Sequence, residues 1–311
     1  MAGFRELLAI EWGSNAAATF RLNFPDVPIW EKDICSIAVG EVLRFCGIAI
    51  GELDVLDGSP PCQGFSLAGR QEVTDSRNNL YKQFVRLLSG LEPKVFVMEN
   101  VGNIVRGRIK GMFKEIMASF ADAGYKTKCR LMDSQWQGVP QRRKRLIWIG
   151  IRKDLGIEPT YPIPRTAPVT VRQAFRGLPL QLQAIELPER EKKLWHATKR
   201  GNNLSDAALR LFGQKNCNFT HWRLAWDKPC PTICASIGSA ILHSDECRLL
   251  TIAELKRLQS FPDWFRLEGS YSRQWLLIGN SVPPLLMKAI AEHIKDNILN
   301  YTSKKAVKLD G

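Results

Sequence analysis

The residues best suited to chemistry stand in three short blocks. Ser59-Pro-Pro-Cys-Gln-Gly64 directly follows the run LDVLDG. Its two prolines restrict the backbone, so Cys62 is held in place at the end of an element. A positioned thiol is a candidate nucleophile. The competing assignment is a buried structural cysteine, the common fate of a free thiol, but packing gives no reason for Pro-Pro-Cys-Gln in a loop. Met98-Glu-Asn-Val101 follows a second apolar run, VFVM, and supplies Glu99. A carboxyl there is an acid or a hydrogen-bonding clamp on a ring, with a helix-capping or surface glutamate equally open. Gln141-Arg-Arg-Lys-Arg145 leads into a third run, LIWIGI. Four consecutive basic residues often form only a solvated face. Alternation into a buried strand instead puts Arg143 and Arg145 on one side, where guanidinium groups can hold a carbonyl or a phosphate.

These blocks need a frame that brings them together. Glu6–Ile10, Leu53–Leu56, Val95–Met98, Lys128–Met132 and Leu146–Ile151 read as buried strands. Between them, Leu80, Phe84, Leu87 and Leu91 recur at helical spacing, as do Ile109, Phe113, Ile116 and Phe120, with Gly124 as a stop. Strands alternating with helices predict an α/β fold, a mostly parallel sheet with helices on both faces. Sites in such sheets form at the carboxyl ends of the strands, where Cys62 and Glu99 fall. After about residue 160 the pattern changes. Pro162, Pro164 and Pro168 interrupt it, and polar sequence with few periodic runs continues to about 245. Arg165–Arg200 alone holds eight basic and three acidic residues. Thr251-Ile-Ala-Glu254 then opens a helix as a capping box, and a last helix begins near Pro283–Pro284. No repeat or low-complexity segment appears.

Composition narrows the class. With 45% hydrophobic and 24% charged residues in 311, the chain has the makings of a packed core and is not a disordered polymer. No apolar run approaches the ~20 residues of a membrane span. MAGFRELLAIEW lacks the layout of a signal peptide, so the expected location is the cytoplasm, with the eight scattered cysteines as reduced thiols. The net charge of +13 favours a polyanionic partner, most often nucleic acid.

In this order and spacing the blocks resemble the bacterial DNA (cytosine-5) methyltransferases. PPCQGFS at 60–66 looks like the nucleophile motif, ENV at 99–101 the glutamate motif, and QRRKR at 141–145 the glutamine–arginine motif. RLLTIAELKRLQSFP at 248–262 resembles the structural helix motif, and GNSVPP at 279–284 the closing motif. The resemblance implies a Rossmann-like, S-adenosylmethionine-dependent fold with a smaller irregular target-recognition domain. Its expected divisions are 1–160 for catalysis and cofactor binding, 161–275 for recognition, and 276–311 for the closing motif and returning helix. The implied reaction is methyl transfer from S-adenosyl-L-methionine to C5 of a flipped-out cytosine through a covalent adduct of Cys62 at C6. Glu99 would act near N3, and Arg143 or Arg145 on the O2 side. Glu11, Trp12, Asp33, Ile34, Pro61, Leu80, Asn280, Ser281 and Val282 are the implied cofactor contacts. Double-stranded DNA is the expected partner, the protein is expected to be a monomer, and a separate restriction endonuclease accompanies many such enzymes.

The family opens with a strand and a glycine loop around the methionine part of the cofactor. MAGF resembles only the end of the helix that follows them. That strand is central in the fold, so without it neighbouring strands are left with unpaired backbone groups, each costing about 1–3 kcal/mol if buried. The expectation is a truncated reading that binds the cofactor weakly; a sheet that closes up and a non-catalytic DNA-binding remnant are the alternatives. A tRNA cytosine-5 methyltransferase is a further alternative, but Cys217-Asn-Phe-Thr220 matches that group's Cys-Phe-Thr block only imperfectly. The spacing of Cys217, His221, Cys230 and Cys234 suggests a zinc site, yet PCPTICAS reads better as an ordinary strand after a proline turn, and no metal is expected. If recognition lies in the middle region, replacing residues 165–245 by the equivalent stretch of a relative should change the methylated sequence and leave the chemistry intact. Mapping of modified cytosines in treated DNA checks this, and an unchanged target would place recognition elsewhere.

Overall fold

A computed structural model describes residues 1–61, 80–102, 110–179, 185–213 and 221–300, with Lys110 described in its backbone alone. Cys62 and Cys217 lie outside the described residues. The first half runs β1 (Ala9–Glu11), α1 (Ser14–Asn23), β2 (Ile29–Glu31), α2 (Val39–Cys46), β3 (Val55–Gly58), α3 (Leu80–Leu91), β4 (Val95–Val101), α4 (Lys110–Asp122), β5 (Tyr125–Asp133) and β6 (Lys144–Arg152). The middle holds α5 (Val171–Ala174), α6 (Glu189–Ala197), α7 (Ser205–Phe212), β7 (Trp222–Arg223) and β8 (Ile241–Leu242). The chain finishes with α8 (Ile252–Leu258), α9 (Tyr271–Asn280) and α10 (Pro284–Ile294), continued by a π-helical turn, Lys295–Leu299. No helix among the described residues is long and apolar enough to cross a membrane.

One sheet has the order β3-β4-β6-β5. β3 and β4 are parallel, and β6 runs against both β4 and β5, so β6 alone is reversed in this sheet. Side-chain alternation divides its two faces. Phe96, Met98, Leu146 and Trp148 meet Phe84 of α3 and Ile116 and Phe120 of α4. Val95, Val97, Ile147, Ile149 and Ile151 meet Leu286, Ile290 and Ile294 of α10 and Ile298 beyond it. A strand covered on both faces reads as a continuous apolar run, which is why VFVM and LIWIGI were legible. Gly124, at φ 90°, takes a left-handed conformation just after α4. Thr251 and Glu254 satisfy each other's backbone N–H groups at the start of α8, the reciprocal cap expected there.

β1 and β2 form a separate parallel pair. Among the described residues β1 has no other partner, and β3 pairs only with β4. The sheet has therefore not closed up. Both edges rest on one apolar cluster, in which Leu8 and Ile10 from the β1 side and Leu53 and Leu56 from the β3 side pack against Ile37, Val42, Leu87 and Leu91. β1 and β3 stay largely half-exposed while β4 is buried.

The polar middle region also builds a core. Trp195, Leu204, Leu224, Ile233, Ile241 and Leu242 pack with Leu255, Leu258, Trp275 and Ile278. The sequence hid it because these residues arrive singly, from loops and short elements, without a period.

Packing between β4 and β6 is close at Gly150, where an added methyl group would overlap the buried Phe96 ring. Gly150→Ala should cost about 1–3 kcal/mol, the usual penalty for overpacking, measured by urea unfolding.

Candidate active site

The site is built where strands end. Beyond β3, Pro60 offers its carbonyl to Asn100 Nδ2 at 3.0 Å. That bond ties the start of the Pro-Pro-Cys segment to the end of β4, one residue from Glu99. The Ser59 side chain also lies close enough to the Glu99 carboxylate to favour its ionised form. Across the β4–β6 ladder Val101 faces Arg145, and Arg145 Nε lies 2.8 Å from Glu99 Oε1. Ser59, Glu99 and Arg145 thus gather beside Pro60, which precedes Cys62 by two residues in the sequence.

Burial sets its electrostatics. Glu99 is 8% exposed. Burial pushes its carboxyl above the ordinary value, while Arg145, Arg143 and the Ser59 hydroxyl pull the other way. Burial likewise lowers Arg145, with Glu99 opposing. A carboxyl balanced between these influences can hold a proton and donate it to a ring nitrogen, while Arg145 keeps guanidinium N–H groups for a neighbouring carbonyl.

Arg143 departs from expectation. The sequence placed it on one side with Arg145, either of the two being expected to hold the O2 side of the base. Instead its Nη1 donates to the Ile233 carbonyl at 2.9 Å and its Nη2 to the Gly279 carbonyl at 2.6 Å. Its end nitrogens are turned to the protein's own backbone, and the side chain is 1% exposed. Burial, then repulsion from Arg145, pulls its guanidinium down to about 9. Cys234 interacts electrostatically with both arginines.

The expected cofactor residues occupy other element ends. Glu11 closes β1, and its Oε1 accepts the Gly13 N–H at 2.7 Å. Trp12 beside it is 77% exposed. Asp33, just past β2, caps the 3-10 turn Ile34–Ser36 by accepting the Cys35 N–H at 2.9 Å. That bond holds its carboxyl below the ordinary value. Ile34 offers its carbonyl to Arg86 on α3. Pro61 is exposed, and Leu80 starts α3 half-buried. Asn280 ends α9 exposed, Ser281 is held by Gln259 through both its carbonyl and its hydroxyl, and Val282 packs near α10.

Sequence reasoning quoted Ser59, Asn100 and Gln141 without giving them work, and it missed Gln259. Each belonged to a recognised block, so position within the block was the available signal. At the suggested metal residues, Cys230 is buried and its thiol donates to the Pro231 carbonyl at 3.0 Å.

Because Glu99 keeps its proton to higher pH in the folded chain than in the unfolded one, ionising it costs native stability. That loss sets in as pH rises from the ordinary 4.5 through Glu99's raised value. Glu99→Gln removes it. Whatever constant offset comes from unpairing Arg145, the native chain should lose stability relative to the variant as pH climbs through that window. Urea unfolding at stepped pH checks this; a difference that does not vary with pH would contradict the raised value.

Residues 1–296 match the family described as C-5 cytosine-specific DNA methylase. The chain is 37% identical to the type II methyltransferase M1.HphI of Haemophilus parahaemolyticus, over 94% of this chain and 81% of that one. It is 32% identical to M.XorII of Xanthomonas oryzae, over 94% and 80%. Among solved structures, a DNA modification methyltransferase encoded within an E. coli prophage superposes with a TM-score of 0.76 at 27% identity, over 96% of this chain and 94% of that one. Dnmt2 of S. pombe shares the fold at a TM-score of 0.65 and 15% identity, over 95% and 92%. The chain belongs to the C-5 cytosine-specific DNA methylase family.

Proposed function

We propose that the chain methylates C5 of a cytosine flipped out of duplex DNA, with Cys62 as the nucleophile that adds to C6, in a restriction-modification or phage and host modification setting. The observation that carries this reading is the Glu99–Arg145 pair with Ser59 beside it and with Asn100 bonded to Pro60, two residues before Cys62 in the sequence. C5 of cytosine is a poor nucleophile until a group adds at C6. The Cys62 thiolate supplies that group, with nearby guanidinium charge favouring its ionised form. Glu99 donates to N3 as charge builds on the ring, and Arg145 holds the O2 side. C5, now nucleophilic, takes up the methyl group; its proton then leaves to solvent water, the C5–C6 double bond re-forms with the Cys62 sulfur expelled as thiolate, and N3 returns its proton to Glu99. Because the target is stacked inside the helix, flipping costs roughly a few kcal/mol, offset by contacts to phosphates and base edges.

The residues present fit the nucleoside part of S-adenosyl-L-methionine, the family's methyl donor. Glu11 presents a carboxylate already oriented by the Gly13 N–H, suited to ribose hydroxyls, and Trp12 an exposed indole face, suited to adenine. Asp33 and Ile34 would sit at the adenine edge, with Pro61, Leu80 and Asn280 to Val282 completing the site. When bound, the cofactor supplies an electrophilic methyl group. We assign residues 161–275 to recognition of the DNA sequence, and 1–160 with 276–311 to catalysis. The enzyme acts as a monomer in the cytoplasm, with any partner endonuclease working separately.

Cys62→Ser should abolish methyl transfer and leave DNA binding nearly intact, since a hydroxyl is a far poorer nucleophile at neutral pH. Tritium transfer from labelled cofactor to DNA measures the first and fluorescence anisotropy the second. Cys46 and Cys129 are the controls: substituting either should affect stability at most. Near-normal turnover by the serine variant would remove Cys62 from this role.

A further inference from the structure

Gln141 and Arg143 reach out from the segment entering β6 and grip one residue of the middle region, Ile233, by both its backbone groups. Gln141 Oε1 accepts the Ile233 N–H at 3.0 Å, and Arg143 Nη1 donates to the Ile233 carbonyl at 2.9 Å. The second arm of the guanidinium reaches Gly279, at the end of α9. Gln141 Nε2 bonds Gln259 Oε1, and Gln259 Nε2 holds Ser281. Main-chain bonds run alongside: Arg142 N to the Cys230 carbonyl, Cys230 N to the Pro140 carbonyl, both at 2.9 Å. The junction is buried. Gln141, Ile233 and Gln259 are fully buried and Arg143 nearly so. It is also close: a methyl group added at Gly279 would lie 2.5 Å from Ala235 Cα.

Two features separate this from ordinary packing. Arg143 touches Ile233 and Gly279 only through carbonyls, so the grip does not depend on which side chains the middle region carries. The guanidinium is a rigid planar fork, so bonding two carbonyls from two segments fixes an angle between them; a lysine ammonium on a flexible stem would not. A full charge is held in a buried place beside the like charge of Arg145, where a neutral side chain would be easier to bury.

We propose that Arg143 is a positioning residue: by bridging the Ile233 and Gly279 carbonyls it sets the face that the recognition region turns toward Glu99 and Arg145, and so governs how DNA is held and not the chemistry. The inference rests on the methyltransferase reading above. Arg143→Lys in the full chain keeps the charge and removes the fork. Three readouts apply: hydrogen exchange over residues 231–235 and 277–282, affinity for a mixed-sequence DNA duplex, and methyl incorporation with varied DNA. The expected result is exchange at least tenfold faster in both segments, DNA affinity and KM for DNA weakened about tenfold, and an unchanged kcat and kcat–pH profile at saturating DNA. Lowered melting temperature with unchanged DNA affinity would reduce Arg143 to a purely structural part. An altered kcat–pH profile with DNA affinity intact would mean that Arg143 touches the base. Either overturns the proposal. Should Arg143→Lys fail to fold, Gln141→Met loosens the hold on the same Ile233 backbone without removing a charge; it should weaken DNA affinity likewise, and unchanged affinity overturns the proposal. Native chain that never methylates DNA counts against the enzyme reading alone, leaving exchange and affinity to decide the role of Arg143.

Discussion

The Glu99–Arg145 ion pair is the constraint around which the site is organised. Moving a carboxylate and a guanidinium out of water costs several kcal/mol each unless they meet each other and further hydrogen-bonding groups. The protein meets that demand with geometry. β4 and β6 are antiparallel neighbours, so their registered ends bring Glu99 and Arg145 together. Ser59 comes in from the end of β3 to lie close to Glu99, and Asn100 pins Pro60 next to it. The segment leading to Cys62 therefore starts from a fixed point. A carboxyl poised by burial and two guanidinium groups is the kind of group that can stay protonated where ordinary carboxyls do not.

Attachment of the middle region follows a different logic. Its own core, from Val171 to Ile278, is independent of the faces of the four-stranded sheet. Its attachment to the catalytic frame includes the backbone groups of Cys230 and Ile233, with the Gln141–Gln259 side-chain bond beside them. Where the joint grips backbone, side chains are free to differ without disturbing the frame.

What the sequence disclosed tracks the range of the forces involved. β4 and β6 were plain because burial on both faces writes an uninterrupted apolar run, and α8 because its reciprocal cap is encoded in four residues. β2 escaped notice: three residues, Ile29–Glu31, carry no period. α1 escaped too, with a polar and small-residue sequence that shows little amphipathic signal. Cys62, Glu99 and Arg145 were nominated from local blocks and a family likeness. The bonding of Arg143 was not readable, because its partners lie 90 and 136 residues away. In a run of four basic residues nothing local separates a buried strut from a surface charge.

The divided sheet bears on how the molecule behaves in company. β1 and β3 each carry backbone groups without a ladder partner among the described residues, and such edges are templates for joining another extended chain. Their guards are charges. Asp57 is exposed on β3, and Glu6, just ahead of β1, is close enough to interact with it. A second copy offering the same edge would bring like charges together. Glu6 is held above its ordinary value by partial desolvation and by Asp57, so it is neutralised early on acidification. Mild acid thus removes one of the negative charges that guard these edges while adding to the chain's net positive charge.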